Sequence, residues 1–149
     1  MDYVKCTNSC NDSFITLLEN DSKLVLKNQK RITVNKIKVD KCLIVDEKIK
    51  KCDFIIEFKA SEKDVRSAYI ELKGGKCKIT DAIKQLESTI EKTRTKFLNH
   101  KKAAYVIGGQ FPKNGATDRK LRDDFIKKNK IPFYDKPKIF EMQLTDLCK

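Results

Sequence analysis

The chain holds one histidine, His100, in 149 residues. A nucleophilic cysteine that needs a histidine base would have a single candidate partner, which argues against that chemistry. Cys6 and Cys10 form a C-x₃-C pair, but no second pair stands at zinc spacing, so a structural zinc site is not expected. No apolar run approaches the length of a membrane span, and the opening residues Met-Asp-Tyr-Val-Lys-Cys lack the apolar core of a signal peptide. The expectation is a cytoplasmic protein with no membrane partner and six reduced thiols. Internal repeats and low-complexity segments are also missing.

What is present is a globular composition. Hydrophobic residues make up 40% of the chain, and the length suits one domain spanning 1–149. Lysine and arginine number 33 against 21 aspartates and glutamates, a net charge of +12. So strong a field for a small domain points to a polyanionic partner. The plainer reading is a lysine-rich surface that only keeps the chain in solution.

The pattern predicts a helix over about 13–20, with Phe14, Ile15, Leu17 and Leu18 on its apolar side. Alternating runs follow within 31–39, 42–45, 52–58 and 67–73, the last two joined by a polar turn. Gly74-Gly75 ends that run, and Thr80-Asp81 offers a helix N-cap. Ala82, Ile83, Leu86, Ile90 and Phe97 then keep helical spacing to about Asn99. Residues 103–107 read as a buried strand, 117–128 as a second helix, and 131–144 as one or two strands broken at Pro137. Helices recurring between late strands imply an α/β fold with a mixed sheet covered by helices.

The chemistry concentrates in 52–75. Asp53 heads one strand-like run, and Glu71-Leu72-Lys73 closes the next. Strand side chains alternate, so Glu71 and Lys73 share a face, and a hairpin would bring Asp53 to them. Two adjacent carboxylates repel unless a cation answers them. Mg²⁺ or Mn²⁺ suits such a pair, since a hard divalent ion takes one or two carboxylates plus waters and substrate phosphate. The alternatives are an Asp53 paired with Lys50 or Lys51, a Glu71 facing solvent on an edge strand, and a Lys73 that is one surface lysine among many. Glu57, Glu62 and Asp64 read as solvated.

On these residues the chain resembles the restriction-endonuclease-like superfamily, the PD-(D/E)XK nucleases, over about 13–110. Asp53 matches the first acid of that motif and Glu71-x-Lys73 the second element, with the crossover helix directly after. Cys52 stands where the proline of the motif would be. The resemblance implies a mixed β-sheet flanked by α-helices. It also implies Gln85 on the crossover helix as a catalytic partner, Glu19 on the first helix as a further metal ligand, and the Leu72 carbonyl as another.

The implied activity is metal-dependent hydrolysis of phosphodiester bonds, with DNA ahead of RNA as substrate and a homodimer if both strands of a duplex are cut. Lys113, Arg119, Lys120 and Arg122, on and after the loop 108–116, are candidates to hold the polynucleotide backbone, and Phe111 and Tyr134 to stack on bases. Two competing classes are a nuclease-like module that binds nucleic acid without cutting, and a small immunity or inhibitor protein whose positive charge matches an acidic partner.

Overall fold

The computed structural model describes every residue except Lys76, Gln110 and 112–114. The chain opens with a single helical turn, α1 (Tyr3–Cys6), capped by Asp2, whose carboxylate accepts from the Lys5 N–H at 3.0 Å. β1 (Thr7–Cys10) follows, and then a hairpin of β2 (Phe14–Glu19) and β3 (Ser22–Lys27). A three-strand antiparallel meander comes next: β4 (Val34–Lys38), β5 (Phe54–Ser61) and β6 (Asp64–Leu72). Helix α2 (Ile79–Thr93) carries the chain over to β7 (Lys101–Ile107), which pairs parallel with β6. Helix α3 (Ala116–Asn129) leads to β8 (Phe133–Lys136), parallel to β7, and β9 (Ile139–Gln143) leaves for a different sheet.

Two sheets result. The larger has the order β1-β4-β5-β6-β7-β8, and the smaller the order β2-β3-β9. One face of the larger sheet, through Ile55, Tyr69, Ala104 and Val106, packs on Ala82, Leu86 and Ile90 of α2 and Phe125 of α3. Its other face, through Ile56, Ile70, Leu72 and Ile107, packs on Ile15, Leu17, Leu24 and Leu26 of the smaller sheet. The fold is therefore mixed α/β, with helices on one face of the large sheet and a second sheet on the other. Among the described residues, the α-helices α2 and α3 pack on the one face.

The helix expected over 13–20 is β2. Phe-Ile-Thr-Leu-Leu-Glu is exposed and buried in strict alternation, with Ile15 and Leu17 in the core and Phe14 and Leu18 outside. Asn20 and Asp21 both adopt positive φ, 51° and 63°. That pair of left-handed residues makes the tight turn whose twist matches a two-stranded ribbon, and Asn and Asp tolerate it better than most. Helix α2 also differs from expectation. It begins at Ile79 after an uncapped Lys78, with Asp81 inside its first turn, and ends at Thr93.

Not all thiols are reduced. Cys6 and Cys42 form a disulfide with Cα atoms 5.7 Å apart, while Cys10, Cys52, Cys77 and Cys148 are free. The bond ties α1 to the turn after β4, two segments that the β1–β4 pairing already brings together. Among the described residues, no helix is long and apolar enough to cross a membrane. Because the bond closes a loop with a sequence separation of 36, reduction is expected to lower stability by about 4 kcal/mol. Denaturant titration with and without reductant measures this, alongside a thiol count rising from four to six.

Candidate functional site

Asp53 stands one residue before β5, and the register of Phe54 opposite Ile70, carried on by one residue, sets it against Glu71 of β6. Its backbone is fixed from both sides: its N–H donates to the Ile70 carbonyl at 3.1 Å, and its carbonyl accepts from Val39 N–H at 2.9 Å. Its Oδ2 accepts the Leu72 N–H at 2.7 Å. Glu71 lies between Ile70 and Leu72, which point into the small-sheet core, so its own side chain faces α2. Lys73 continues the ladder, its N–H donating to the Ile107 carbonyl at 2.9 Å. Its ammonium lies 3.0 Å from Glu71 Oε2 and also donates to Gln85 Oε1. Gln85 in turn donates from Nε2 to the Lys51 carbonyl at 3.3 Å. Asp53, Glu71, Lys73 and Gln85 thus come together. Lys51 does not pair with Asp53, because its ammonium donates to the Asp46 carbonyl.

The electrostatics follow from burial. Asp53 and Glu71 are only 6% and 3% exposed. Glu71 is pushed up to about 8, first by burial and then by the negative charge of Asp53; Lys73 pulls the other way without prevailing. Asp53 is also raised by burial, while hydrogen bonds to its carboxylate, among them the Leu72 N–H, hold it down. At neutral pH the pair therefore keeps a proton between them. Glu71 Oε1 is buried and accepts from no amide, hydroxyl or ammonium donor, which leaves a shared proton or a cation to answer it. A buried oxygen of that kind costs free energy unless something answers it.

The hairpin β2–β3 closes the site from the other side of the sheet. Asn20 Nδ2 donates to the Leu72 carbonyl at 3.2 Å, and the buried Ser22 hydroxyl donates to the Lys73 carbonyl. The Leu72 carbonyl, expected as a ligand, thus already has a donor. Gly108 adopts φ 80°, and a Cβ there would lie 2.8 Å from the Lys73 carbonyl, so only glycine lets β7 end this close to β6. Glu19 lies on β2, not on a helix, and its carboxylate is paired with Lys38 at 3.2 Å. Its charge still reaches Asp53 and raises it. Asn20 and Ser22 went unnoticed in the sequence, because their role depends on a hairpin read as a helix.

A cavity of about 600 Å³ opens at the start of α2, lined by Cys77, Lys78, Thr80, Asp81 and Lys84. The Cys77 thiol in its lining is raised by burial and feels the charges of Lys73 and Glu71. Lys120 pairs with Asp124 at 2.9 Å, and Arg122, a largely buried side chain, pairs with Asp135 at 2.8 Å. Arg119 is exposed, while Lys113 lies outside the described residues. Phe111 is buried in the core, and Tyr134 stacks on Tyr105 with centroids 5.2 Å apart. Glu57 and Asp64 are not simply solvated: Glu57 accepts from Asn35 at 2.9 Å, and Asp64 takes both arms of Arg66.

No group of three or more His, Cys, Asp and Glu side chains among the described residues is arranged to hold a metal ion. Two adjoining carboxylates that otherwise hold a proton between them nonetheless fit a hard divalent cation whose other ligands are water and substrate. The titration gives a direct test. The ordinary carboxyl value is 4.5 and the folded value about 8, so the folded state keeps a proton that the unfolded chain loses between them. Glu71 therefore lowers stability progressively as pH rises through that window. Glu71→Gln is expected to be more stable than wild type above pH 8 and to lose that advantage near pH 4.5, as read from denaturation midpoints across the range.

In comparison with known proteins, no family model, no curated protein and no solved structure matches the chain.

Proposed function

We propose that the protein is a metal-dependent nuclease of restriction-endonuclease-like fold, hydrolysing phosphodiester bonds in DNA ahead of RNA. The observation that carries this reading is the Asp53–Glu71–Lys73–Gln85 cluster, two buried carboxylates and one ammonium held at a strand end. Packing alone gives no reason to bury a carboxylate pair that must hold a proton at neutral pH.

Asp53 and Glu71 would hold Mg²⁺ or Mn²⁺, which when bound supplies positive charge at the scissile phosphate and acidifies a water. The Leu72 N–H keeps one Asp53 oxygen engaged and so fixes how its carboxylate presents the other. Lys73 is aimed by two acceptors, Glu71 and Gln85, and its ammonium is placed to stabilise charge growing on the phosphate. Gln85 tethers that ammonium to α2 and through Lys51 to the approach of β5, so it acts as a positioning residue. Lys78 and Lys84 supply cations where the substrate backbone would enter. Duplex cutting would require two copies related by a two-fold axis. A cytoplasmic setting belongs to this proposal, and the Cys6–Cys42 bond would there face reducing conditions.

Incubation with plasmid, single-stranded DNA and RNA, with Mg²⁺, Mn²⁺ or chelator, is the test. Cleavage is expected only with metal. Lys73→Met should lower kcat by on the order of 10²–10³ with little change in KM, since it acts on the transition state. Asp53→Asn and Glu71→Gln should abolish metal-dependent turnover while the folded state persists. Activity that survives chelation, or a fully active Glu71→Gln variant, would overturn the mechanism. Salt-sensitive binding without cleavage under any condition would instead leave a nuclease-like binding module.

Mg²⁺ itself gives a separate readout. Its addition should draw the Glu71 carboxyl well below about 8, seen as a shift of its carboxyl carbon resonance with pH. An unchanged titration at saturating Mg²⁺ would remove Glu71 from the ligand set.

A further inference from the structure

The end of the large sheet away from Glu71 carries a second chemical feature. β7 begins there, α2 and α3 both finish there, and among them lies a cavity of about 540 Å³. Six basic residues line it: Arg94, Lys101, Lys102, Lys128, Lys130 and Lys149. No aspartate or glutamate does. With 21 acidic residues against 33 basic in the chain, six charged positions drawn at random would include about two acids. Ile90 and Ile131 give the cavity an apolar floor.

Helix ends account for part of this. Arg94, Lys128 and Lys130 sit where the carbonyl ends of α2 and α3 favour positive charge. Lys101, Lys102 and Lys149 belong to no helix end, yet they converge on the same space. The acids that answer these cations lie outside the cavity. Glu91 holds Arg94 at 2.8 Å and Glu87 holds Lys128 at 2.9 Å, both cations well exposed. Asp64 and Asp146 stand 3.8 Å from Lys101 and 3.6 Å from Lys149. Solvated pairs of this kind are weak and exchange readily for a better anion. Lys102 and Lys130 have no carboxylate partner among the described residues. The Lys102 ammonium donates only to the His100 carbonyl at 3.2 Å, and burial lowers its pKa.

We propose that this cavity is a phosphate-binding site. Its volume lies in the range of small-ligand sites, and clustered lysine and arginine without aspartate or glutamate suits a dianion. The site is separate from the carboxylate cluster. Glu71 pairs with Val106, five residues along β7 from Lys101, which is about 17 Å of strand. Nothing in the proposal uses Asp53, Glu71 or Lys73, so it stands or falls apart from the nuclease reading. The phosphate has two sources: a free nucleotide or inorganic phosphate, or the backbone of a polynucleotide that reaches this far.

The test uses three probes at low salt: inorganic phosphate, adenosine 5′-monophosphate and a fluorescent single-stranded oligonucleotide. Each is titrated against wild type, the triple variant Arg94→Gln, Lys102→Gln, Lys130→Asn, and a control with the same charge removed elsewhere, Lys5→Gln, Lys48→Gln, Lys138→Gln. Wild type and control are expected to bind alike, and the cavity variant about tenfold more weakly. Loss of the two small probes assigns the site to a free phosphorylated ligand. Loss of the oligonucleotide alone assigns it to a polynucleotide backbone. Equal weakening in the control, unchanged binding in the cavity variant, or no saturable binding of any probe by wild type would overturn the proposal. Arg94→Gln alone, at an exposed side chain, guards against a misfolded triple variant and should weaken binding about threefold. Glu71→Gln should leave binding at this site unchanged.

Discussion

Two carboxylates lie inside the sheet with one ammonium between them and solvent, and the surrounding architecture is arranged around that imbalance. The backbone of Asp53 is held by Val39 and Ile70, and its side chain by Leu72. Glu71 cannot turn away, because both of its neighbours in β6 are anchored in the core beneath the small sheet. Burial that would ordinarily expel a charge is enforced here by strand pairing on both sides of β6. The cost appears as a proton that the pair retains well above the usual carboxylate range.

The two faces of β6 do different work. Alternation sends Tyr69, Glu71 and Lys73 towards α2 and Ile70 and Leu72 towards the small sheet. The small sheet buttresses more than the apolar core. Through Asn20 and Ser22 it grips the carbonyls of Leu72 and Lys73 from behind. The residues that carry chemistry are thus clamped from the face opposite to the one on which they act. Gly108 permits the clamp, since any larger residue would push β7 away from Lys73.

How much of this was legible depended on whether the information was local. Asp53, Glu71 and Lys73 could be placed together because a period of two and a short hairpin leave little freedom. α2 and β7 were legible from spacing, and α2 also from the Gly74-Gly75 break before it. β2 was not, because Phe-Ile-Thr-Leu-Leu-Glu satisfies a helical stripe as well as an alternating one. The deciding signal was the Asn20-Asp21 pair, a turn rather than a helix end. The partner of Cys6 lies 36 residues away in sequence, and only the β1–β4 pairing brings it near. Arg122 looked like a free cation because Asp135, which takes it, comes from a strand laid beside β7 later in the chain.

The smaller sheet has a further consequence for how the molecule comes into being. Its hairpin is made from residues 14–27, while β9, which completes it, spans Ile139–Gln143 and pairs parallel to β3. On the ribosome the hairpin emerges early and then waits through the synthesis of more than a hundred residues for its third strand. Throughout that interval β3 offers an unpaired edge beside fully apolar Leu24 and Leu26, the kind of edge that recruits strands from other chains. A nascent chain halted before residue 139 would carry every member of the carboxylate cluster and yet keep that edge open.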